Sequence, residues 1–195
     1  NELMRQCDLV LATGGGAMVH AAYSSGSPAL GVGVGNAVIT VDDTADLDAA
    51  AEKIRISKTL DLAASCSSDN SVVLLDGIYE PMLEKLKSQG GYLCNEEEKT
   101  ALRNTLWDEK LHLNTAVVAQ PPGKIAQMAG LSIPEETKFF IVPEDGWGPE
   151  HPFSGEKLSV IMALYSARDI DHAIELTQNI QAYQGQGHSC GIYSS

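Results

Sequence analysis

The chain has 195 residues, enough to bury the core of one domain or of one domain with part of a second. Hydrophobic residues make up 44% and charged residues 20% of the sequence, which is the composition of a folded globular protein and not of a disordered one. The 13 basic and 26 acidic side chains give a formal charge of -13, which argues against nucleic acid and anionic membrane surfaces as partners.

Targeting and metal-binding patterns are absent from the sequence. No stretch reaches the roughly 18 to 20 apolar residues that span a bilayer, and no basic segment followed by an apolar one begins the chain. We therefore predict a cytoplasmic protein with no membrane partner. The cysteines form no CxxC pair, so we expect reduced thiols and no metal site: Cys7, Cys66, Cys94 and Cys190. The chain starts without Met, in what reads as the end of a helix, and we expect it to be a piece of a longer protein.

A strand, a glycine turn and a helix are predicted near the start. Residues 8–13 (DLVLAT) read as a buried strand and residues 17–25 as a helix, with Gly14, Gly15 and Gly16 between them. Such a turn presents free backbone N–H groups to a phosphate, but it also occurs for packing alone, and both interpretations remain open. Residues 28–43 predict two strands with glycines at alternate positions, which suits either a flat ligand or a crowded strand crossing.

Strands and helices alternate through the rest of the chain. Asp46, Asn95 and Asp169 are predicted to begin helices, Pro122 opens another, and a helix from about Tyr79 ends at residues 90–91. Further strands are predicted at residues 71–76, 114–119, 138–142, within 157–167, and at 188–194. This alternation predicts an α/β protein with a largely parallel sheet flanked by helices.

Four motifs in order carry a family resemblance. They are TGGGAM, GVGVGN, a lone cysteine in the small-residue loop DLAASCSSDN, and HPFSGEKLS. The series resembles the aldehyde dehydrogenase superfamily, and more narrowly its CoA-acylating branch, which includes acylating sulfoacetaldehyde dehydrogenases and the aldehyde half of bifunctional aldehyde-alcohol dehydrogenases. The resemblance implies that residues 1–36 end a Rossmann-like NAD(P)-binding domain and that residues 37–195 form the catalytic domain.

The resemblance also implies roles for individual residues. Cys66 would be the nucleophile that forms a thioester, with its backbone N–H as a candidate oxyanion donor. Many members have a glutamate that holds the nicotinamide ribose at the position of His151, and this departure leaves the ribose contact open. His151 and His188 are the candidates for contacts with CoA or the substrate; His188 matches a histidine common in the acylating branch, where it would lie near CoA or the thioester. The residues implied to bind the cofactor, NAD or NADP, are Thr13, Gly14, Met18, Gly33 and Phe153.

The route by which the acyl group leaves follows from a missing carboxylate. In hydrolysing relatives a glutamate that activates water stands at the position of Gly31, and no acidic residue occurs from residue 9 to residue 41. A thiol needs less activation than water, so we predict coenzyme A as the acceptor. The predicted reaction oxidises a small aldehyde, with sulfoacetaldehyde as first choice, to an acyl-CoA with NAD(P)+. The enzyme is predicted to be a homo-oligomeric oxidoreductase.

Two other interpretations remain open. The chain could be a non-enzymatic fragment, a catalytic domain that folds but lacks the half that binds NAD. It could also resemble a glutamyl-phosphate-type reductase, which uses a cysteine and lacks the glutamate as well.

Overall fold

The computed structural model describes residues 2–195, which fall into two compact units, Asn1–Gly35 and Asn36–Ser195. In the first unit, helix α1 (Glu2–Arg5) is followed by strand β1 (Val10–Thr13), helix α2 (Gly16–Tyr23) and strand β2 (Ala29–Val32). Strands β1 and β2 pair in parallel, so this unit is a small β–α–β arrangement with the glycine turn between β1 and α2.

The second unit contains six strands and five helices among the described residues. The strands are β3 (Ala37–Val41), β4 (Asp69–Leu75), β5 (Gly91–Leu93), β6 (Phe139–Pro143), β7 (Ile161–Ala167) and β8 (Cys190–Tyr193). The helices are α3 (Leu47–Thr59), α4 (Tyr79–Ser88), α5 (Glu96–Leu106), α6 (Pro122–Ala129) and α7 (Ile170–Tyr183). No helix within residues 2–195 combines the length and the apolar character needed to cross a membrane.

The six strands form one sheet in the order β5-β6-β7-β4-β3-β8, and every neighbouring pair is parallel. Helix α7 packs against β3, β4 and β7, while α3 packs against β4 and β6. The central strands are almost wholly buried, as expected of a parallel sheet covered by helices. The predicted α/β class with a largely parallel sheet is confirmed.

Local capping signals placed the helix starts correctly. The side chain of Asp46 accepts the backbone N–H of Ala49, and Asp169 does the same for His172. Asn95 and Glu98 form a reciprocal capping box at the start of α5. These caps satisfy N–H groups that have no partner within the helix, which is why short sequence patterns could locate them.

Two parts of the sheet prediction were wrong or incomplete. Residues 114–119 are not a strand, because the Asn114 side chain accepts the Ala116 N–H and starts a short 3-10 turn, Thr115–Val117. Strand β5 was not predicted, because three residues are too few for an alternating pattern. It exists through its pairing with β6.

The parallel arrangement brings several loop residues to one edge of the sheet. Asn36 comes directly before β3, Cys66 precedes β4, Lys157 precedes β7, and His188 precedes β8. These four strands are neighbours in the sheet, so the segments before them converge at their amino ends. The sheet topology therefore gathers residues that are up to 152 positions apart in sequence (188 minus 36).

Candidate active site

Cys66 lies at the corner of an exposed turn between α3 and β4. The Ser68 N–H donates to the carbonyl of Ser65 at 3.1 Å, which closes the turn around Cys66 and Ser67. The hydroxyls of Ser65 and Ser67 lie 2.9 Å apart. Cys66 is exposed, and no hydrogen bond among the described residues uses its backbone N–H. The turn therefore offers both a thiol and a free backbone donor.

The backbone immediately before this turn is strained. Asp61, Leu62 and Ala63 all adopt left-handed conformations, with φ of 47°, 54° and 58°. Each such residue without glycine's freedom costs on the order of 1–2 kcal/mol. Ala63 is buried, and the Ala64 N–H donates back to the carbonyl of Asp61, so packing and hydrogen bonding hold the run in place. Backbone strain of this kind is concentrated at functional sites in proteins.

Buried charged groups lie close to the cysteine turn. Lys58 and Asp69, on the two sides of the turn in sequence, are both buried. Burial lowers the pKa of Lys58 to about 7, although the negative charge of Asp69 opposes this shift. Burial also raises the pKa of Asp69, which Ser57 and Lys58 partly offset. Lys157 is buried too, and desolvation, with the nearby charge of Lys58, holds its pKa well below the usual range for lysine.

Lys157 and two asparagines tie the motif HPFSGEKLS to this edge of the sheet. The Lys157 ammonium donates to the carbonyls of Phe153 and Gly155 at 2.5 and 3.0 Å. Asn70 donates to the Gly155 carbonyl at 2.7 Å and to the side-chain oxygen of Asn36 at 2.5 Å. Both asparagines are buried. The sequence analysis missed all three residues; the signal it could have used was their polar character beside the recognised motifs.

His188 lies at the same edge of the sheet, in the loop between α7 and β8. Its Nδ1 is 2.9 Å from the hydroxyl of Ser189, and its backbone N–H donates to Gly185. The half-buried imidazole lines a cavity of about 250 Å³ together with Gln181, Gly187, Ser189 and Cys190. The structure thus places His188 and Cys66 before the amino ends of strands in one sheet.

His151 lies in a different surrounding. Its Nδ1 contacts Glu144, which directly follows β6, at 2.9 Å, and Asp145 at 3.6 Å. The Lys99 ammonium contacts the same Glu144 carboxylate at 3.0 Å, so this carboxylate has both a cationic partner and the imidazole of His151 beside it. Pro143, Leu164 and Ser166 line the adjoining cavity of about 560 Å³, which places it at the carboxyl ends of β6 and β7. The CoA or substrate contact suggested for His151 stays a prediction.

The ring of Phe153 is buried in the chain. Only 1% of this residue is exposed, and its ring packs edge to face on Trp107 with a centroid distance of 5.0 Å. A nicotinamide could contact Phe153 only through a free face of the ring. The cofactor-binding role implied for Phe153 stays a prediction.

The remaining cofactor-site candidates lie in the first unit. Thr13, Gly14, Met18 and Gly33 are all exposed there. Helix α2 begins after Gly15 without a side-chain cap, and a Cβ added at Gly15 or Gly16 would meet nothing within 4 Å. An open turn with uncapped N–H groups has the features that a pyrophosphate requires.

Gly31, in β2, has no room for a side chain. A Cβ built there would lie 2.6 Å from a methyl carbon of Val19 and 2.9 Å from the ring of Tyr23. The Tyr23 hydroxyl also accepts the Gly31 N–H at 2.9 Å. The packing of the first unit therefore excludes a carboxylate at this position.

Comparison with known proteins bears on the family. The acylating sulfoacetaldehyde dehydrogenase of Cupriavidus necator is 45% identical over 196 residues, which cover 100% of this chain and 40% of that protein. The bifunctional aldehyde-alcohol dehydrogenase AdhE of Escherichia coli is 42% identical over 196 residues, 100% of this chain and 22% of that protein. Over its whole length this chain is similar to acylating aldehyde dehydrogenases. The family resemblance read from the four motifs is confirmed.

Solved structures of acylating aldehyde dehydrogenases have the same fold. An acetylating aldehyde dehydrogenase from Geobacillus thermoglucosidasius is 40% identical with a TM-score of 0.96, covering 100% of this chain and 43% of that chain. An engineered glycolyl-CoA reductase with bound NADP+ is 25% identical with a TM-score of 0.88, covering 99% and 44%. No protein-family model matches the chain. The chain spans 40% of the length of the first of these two curated relatives and 22% of the length of the second.

Proposed function

We propose that the protein oxidises a small aldehyde to an acyl-CoA with NAD(P)+, using Cys66 as the nucleophile. The observation that carries the proposal is the Cys66 turn: an exposed thiol with an unpaired backbone N–H, preceded by three strained residues. The similarity of the chain to this family gives this turn its chemical interpretation. We also propose that residues 1–36 end the cofactor domain and residues 37–195 form the catalytic domain, in a homo-oligomeric enzyme.

The first half-reaction acylates Cys66. The thiolate adds to the aldehyde carbon, forming a C–S bond and an alkoxide that the Cys66 N–H can stabilise by a hydrogen bond. A bound nicotinamide would supply the hydride acceptor, and loss of hydride from this alkoxide would leave a thioester on Cys66. The exposed neighbours Ala64, Ser65 and Ser67 leave the thiol accessible to the aldehyde.

The second half-reaction transfers the acyl group to CoA. The CoA thiolate attacks the thioester carbonyl, and the bond to Cys66 breaks with release of its thiolate. We assign His188 to the neighbourhood of the thioester or of CoA, since it lies at the same edge of the sheet as Cys66 and lines a cavity. Water is a poor competitor, because the position of the expected base is Gly31, where packing leaves no space for a side chain.

The cofactor is proposed to bind at the open glycine turn of the first unit. Thr13 ends strand β1, Gly14 follows it, and the uncapped start of α2 offers N–H groups to a pyrophosphate. Met18 and Gly33 are assigned to the same site. The similarity to the NADP+-bound glycolyl-CoA reductase supports a nicotinamide dinucleotide, and NAD and NADP both remain candidates.

Sulfoacetaldehyde is our first choice of substrate. The support is the 45% identity to the acylating sulfoacetaldehyde dehydrogenase of Cupriavidus necator. The bifunctional aldehyde-alcohol dehydrogenase at 42% identity makes acetaldehyde the alternative to test.

The test follows NADH formation by the full-length protein from each aldehyde, with and without CoA. Wild type, Cys66→Ser and the control Cys7→Ser are compared, because Cys7 is also an exposed thiol and is assigned to no site. We expect CoA-dependent NADH in wild type and in the control, and none in Cys66→Ser. NADH formation at the same steady rate without CoA would mean that water deacylates the enzyme. Equal turnover of the two aldehydes would contradict the choice of sulfoacetaldehyde.

Two further outcomes would favour the other interpretations. Failure of the 195-residue chain by itself to bind NAD+ or NADP+ at micromolar concentration would support a non-enzymatic fragment. Reduction of an acyl phosphate with release of phosphate would support a glutamyl-phosphate-type reductase.

A further inference from the structure

The side-chain amides of Asn36 and Asn70 form a buried pair at the amino ends of β3 and β4. We propose that this pair positions the reacting groups. It does so by holding three segments together: strand β4, which follows the Cys66 turn, the Phe153–Gly155 segment, and the loop that carries His188. The inference rests on the proposed function, because it is the acylation and deacylation of Cys66 that this arrangement would serve. Neither asparagine is proposed to touch the substrate.

Asn70 connects strand β4, which follows the Cys66 turn, to the HPFSG segment. It lies four positions after Cys66, at the start of β4, and only 4% of it is exposed. Its amide nitrogen donates to the Gly155 carbonyl at 2.7 Å and to the Asn36 side-chain oxygen at 2.5 Å. Lys157 donates to the same Gly155 carbonyl at 3.0 Å. The path of this loop is thus set by two buried donors.

Asn36 connects the same segment to the end of α7. It is fully buried, and its amide nitrogen donates to the carbonyls of Ser154 at 2.7 Å and Gln184 at 3.1 Å. Gln184 is the residue that follows α7 and is four positions before His188. Gly185 packs so closely that a Cβ there would lie 2.4 Å from the Cβ of Asn36. The start of the loop that carries His188 therefore packs directly against Asn36.

The chemistry of the pair requires amides. Both nitrogens face only oxygen acceptors, four of them backbone carbonyls, so each position needs an N–H donor. Reversing either amide would bring oxygen against oxygen. An aspartate has nearly the same shape but no N–H, and it would place a buried charge against these carbonyls. Asn→Asp therefore removes the hydrogen bonds while the volume is retained.

The experiment uses the full-length protein and three variants with the same chemical change. Asn70→Asp removes the contacts to Gly155 and Asn36, and Asn36→Asp removes those to Ser154 and Gln184. The control is Asn114→Asp, which removes a donor to the carbonyl of Thr105 in a turn that contacts none of the proposed site residues. Rapid mixing separates the NADH burst formed without CoA from the CoA-dependent steady rate. Iodoacetamide alkylation of Cys66 is measured in parallel.

A shift of about 1 Å in a reacting group can lower a rate about 100-fold, so we expect a loss of about tenfold or more. Asn70→Asp should slow both half-reactions and change the Cys66 alkylation rate. Asn36→Asp should in addition raise the KM for CoA. The control should stay within about twofold of wild type in every measurement, since it is remote from these contacts.

The result that overturns the inference is a folded Asn70 or Asn36 variant whose two half-reactions and alkylation rate stay within twofold of wild type. A loss that only follows the fraction of folded protein, measured by circular dichroism, would overturn it as well. If Asn70→Asp does not fold, Asn70→Ala removes the donors without adding a charge. If wild type forms no CoA-dependent NADH, the proposed function fails, whereas an altered alkylation rate in the Asn70 variant would still support the positioning of Cys66.

Discussion

The side-chain oxygens of Ser65 and Ser67 lie 2.9 Å apart, one on each side of Cys66. Ser65 also accepts the backbone N–H of Ser67 at 3.4 Å. The proposed nucleophile is thus held in a turn whose shape depends on its two sequence neighbours. This relationship makes the two serines unequal, because Ser65 takes part in both hydrogen bonds and Ser67 contributes its hydroxyl to only one.

We expect Ser65→Ala to disturb the turn more than Ser67→Ala. The first variant loses two hydrogen bonds and the second loses one, at a net cost of at most about 1 kcal/mol each for such exposed groups. The measurement is the rate of Cys66 alkylation by iodoacetamide, with urea unfolding to follow stability. Ser67→Ala serves as the matched control. Equal alkylation rates in both variants and wild type would show that the hydroxyls do not shape the turn.

The thiols of Cys66 and Cys94 should differ greatly in reactivity. Cys66 is exposed, whereas Cys94 is buried, and its burial raises the pKa of the Cys94 thiol to about 12. Only the thiolate reacts, so Cys94 should be labelled at least about 100-fold more slowly than Cys66 in the native protein. Peptide mass spectrometry after timed labelling measures both sites. Labelling in urea is the control, because unfolding should remove the difference; comparable native rates would contradict the buried position of Cys94.

Gly185 and Gly187 allow a matched test of the packing on Asn36. Both have positive φ, 88° and 80°, so an alanine at either position pays a left-handed backbone cost of about 1 kcal/mol. At Gly187 a Cβ would meet nothing within 4 Å, whereas at Gly185 it would lie 2.4 Å from the Asn36 Cβ. We therefore expect Gly185→Ala to lower the free energy of unfolding by at least about 2 kcal/mol more than Gly187→Ala.

Urea unfolding of the two alanine variants provides the measurement. Loss of the Asn36 contacts should accompany the larger destabilisation, so the steady rate with CoA should fall in Gly185→Ala. Equal unfolding free energies for the two variants would mean that the close approach of the loop to Asn36 has no energetic consequence.

Lys58 should make stability depend on pH just above neutrality. Its pKa is lowered to about 7 by burial, from an ordinary value of 10.5, so between these values the unfolded chain binds a proton that the folded chain does not. The penalty for burying the charge is complete below pH 7 and is relieved as the pH rises. Stability should therefore increase from pH 7 to 8.5, with Lys58 contributing up to about 1.4 kcal/mol per pH unit.

Urea unfolding at several pH values tests this dependence. Lys58→Met should show a smaller increase than wild type, while the exposed control Lys110→Met should keep the wild-type slope. The comparison ends at pH 8.5 because the raised pKa of the Cys94 thiol acts in the opposite direction at higher pH. Burial lowers the pKa of Lys157 as well, and the nearby charge of Lys58 lowers it further, so Lys58→Met also weakens the shift of Lys157 and should retain only a reduced slope. A slope unchanged in Lys58→Met would contradict the prediction.

Short-range signals in the sequence were sufficient for much of the fold. Asp46, Asn95 and Asp169 cap helices through their own side chains, an interaction complete within four residues. The alternation of strands and helices predicted the parallel sheet, because parallel neighbours need crossover connections. The segment at 114–119 failed for the same local reason, since a cap by Asn114 replaced the expected strand.

The family and the cysteine turn could be read from the sequence because the four motifs are contiguous and ordered. The surroundings of the turn depended on contacts between distant segments. The partners of Asn36 and Asn70 lie up to 148 positions away, and no local pattern specifies such pairs. His151 illustrates the same limit: its motif suggested a contact with CoA or the substrate, but no local pattern could show that its imidazole contacts Glu144 and Asp145.

The sequence by itself determined the α/β class, the helix starts, the family and the identity of the exposed thiol, because each depends on residues near one another in the chain. Only the tertiary structure decided which buried polar groups lie at the same edge of the sheet as that thiol. A buried amide or ammonium must be paired inside the protein, and the order of strands in the sheet determines which distant carbonyls are available to pair with it. The segments before β3, β4, β7 and β8 meet at one edge because those strands are parallel neighbours.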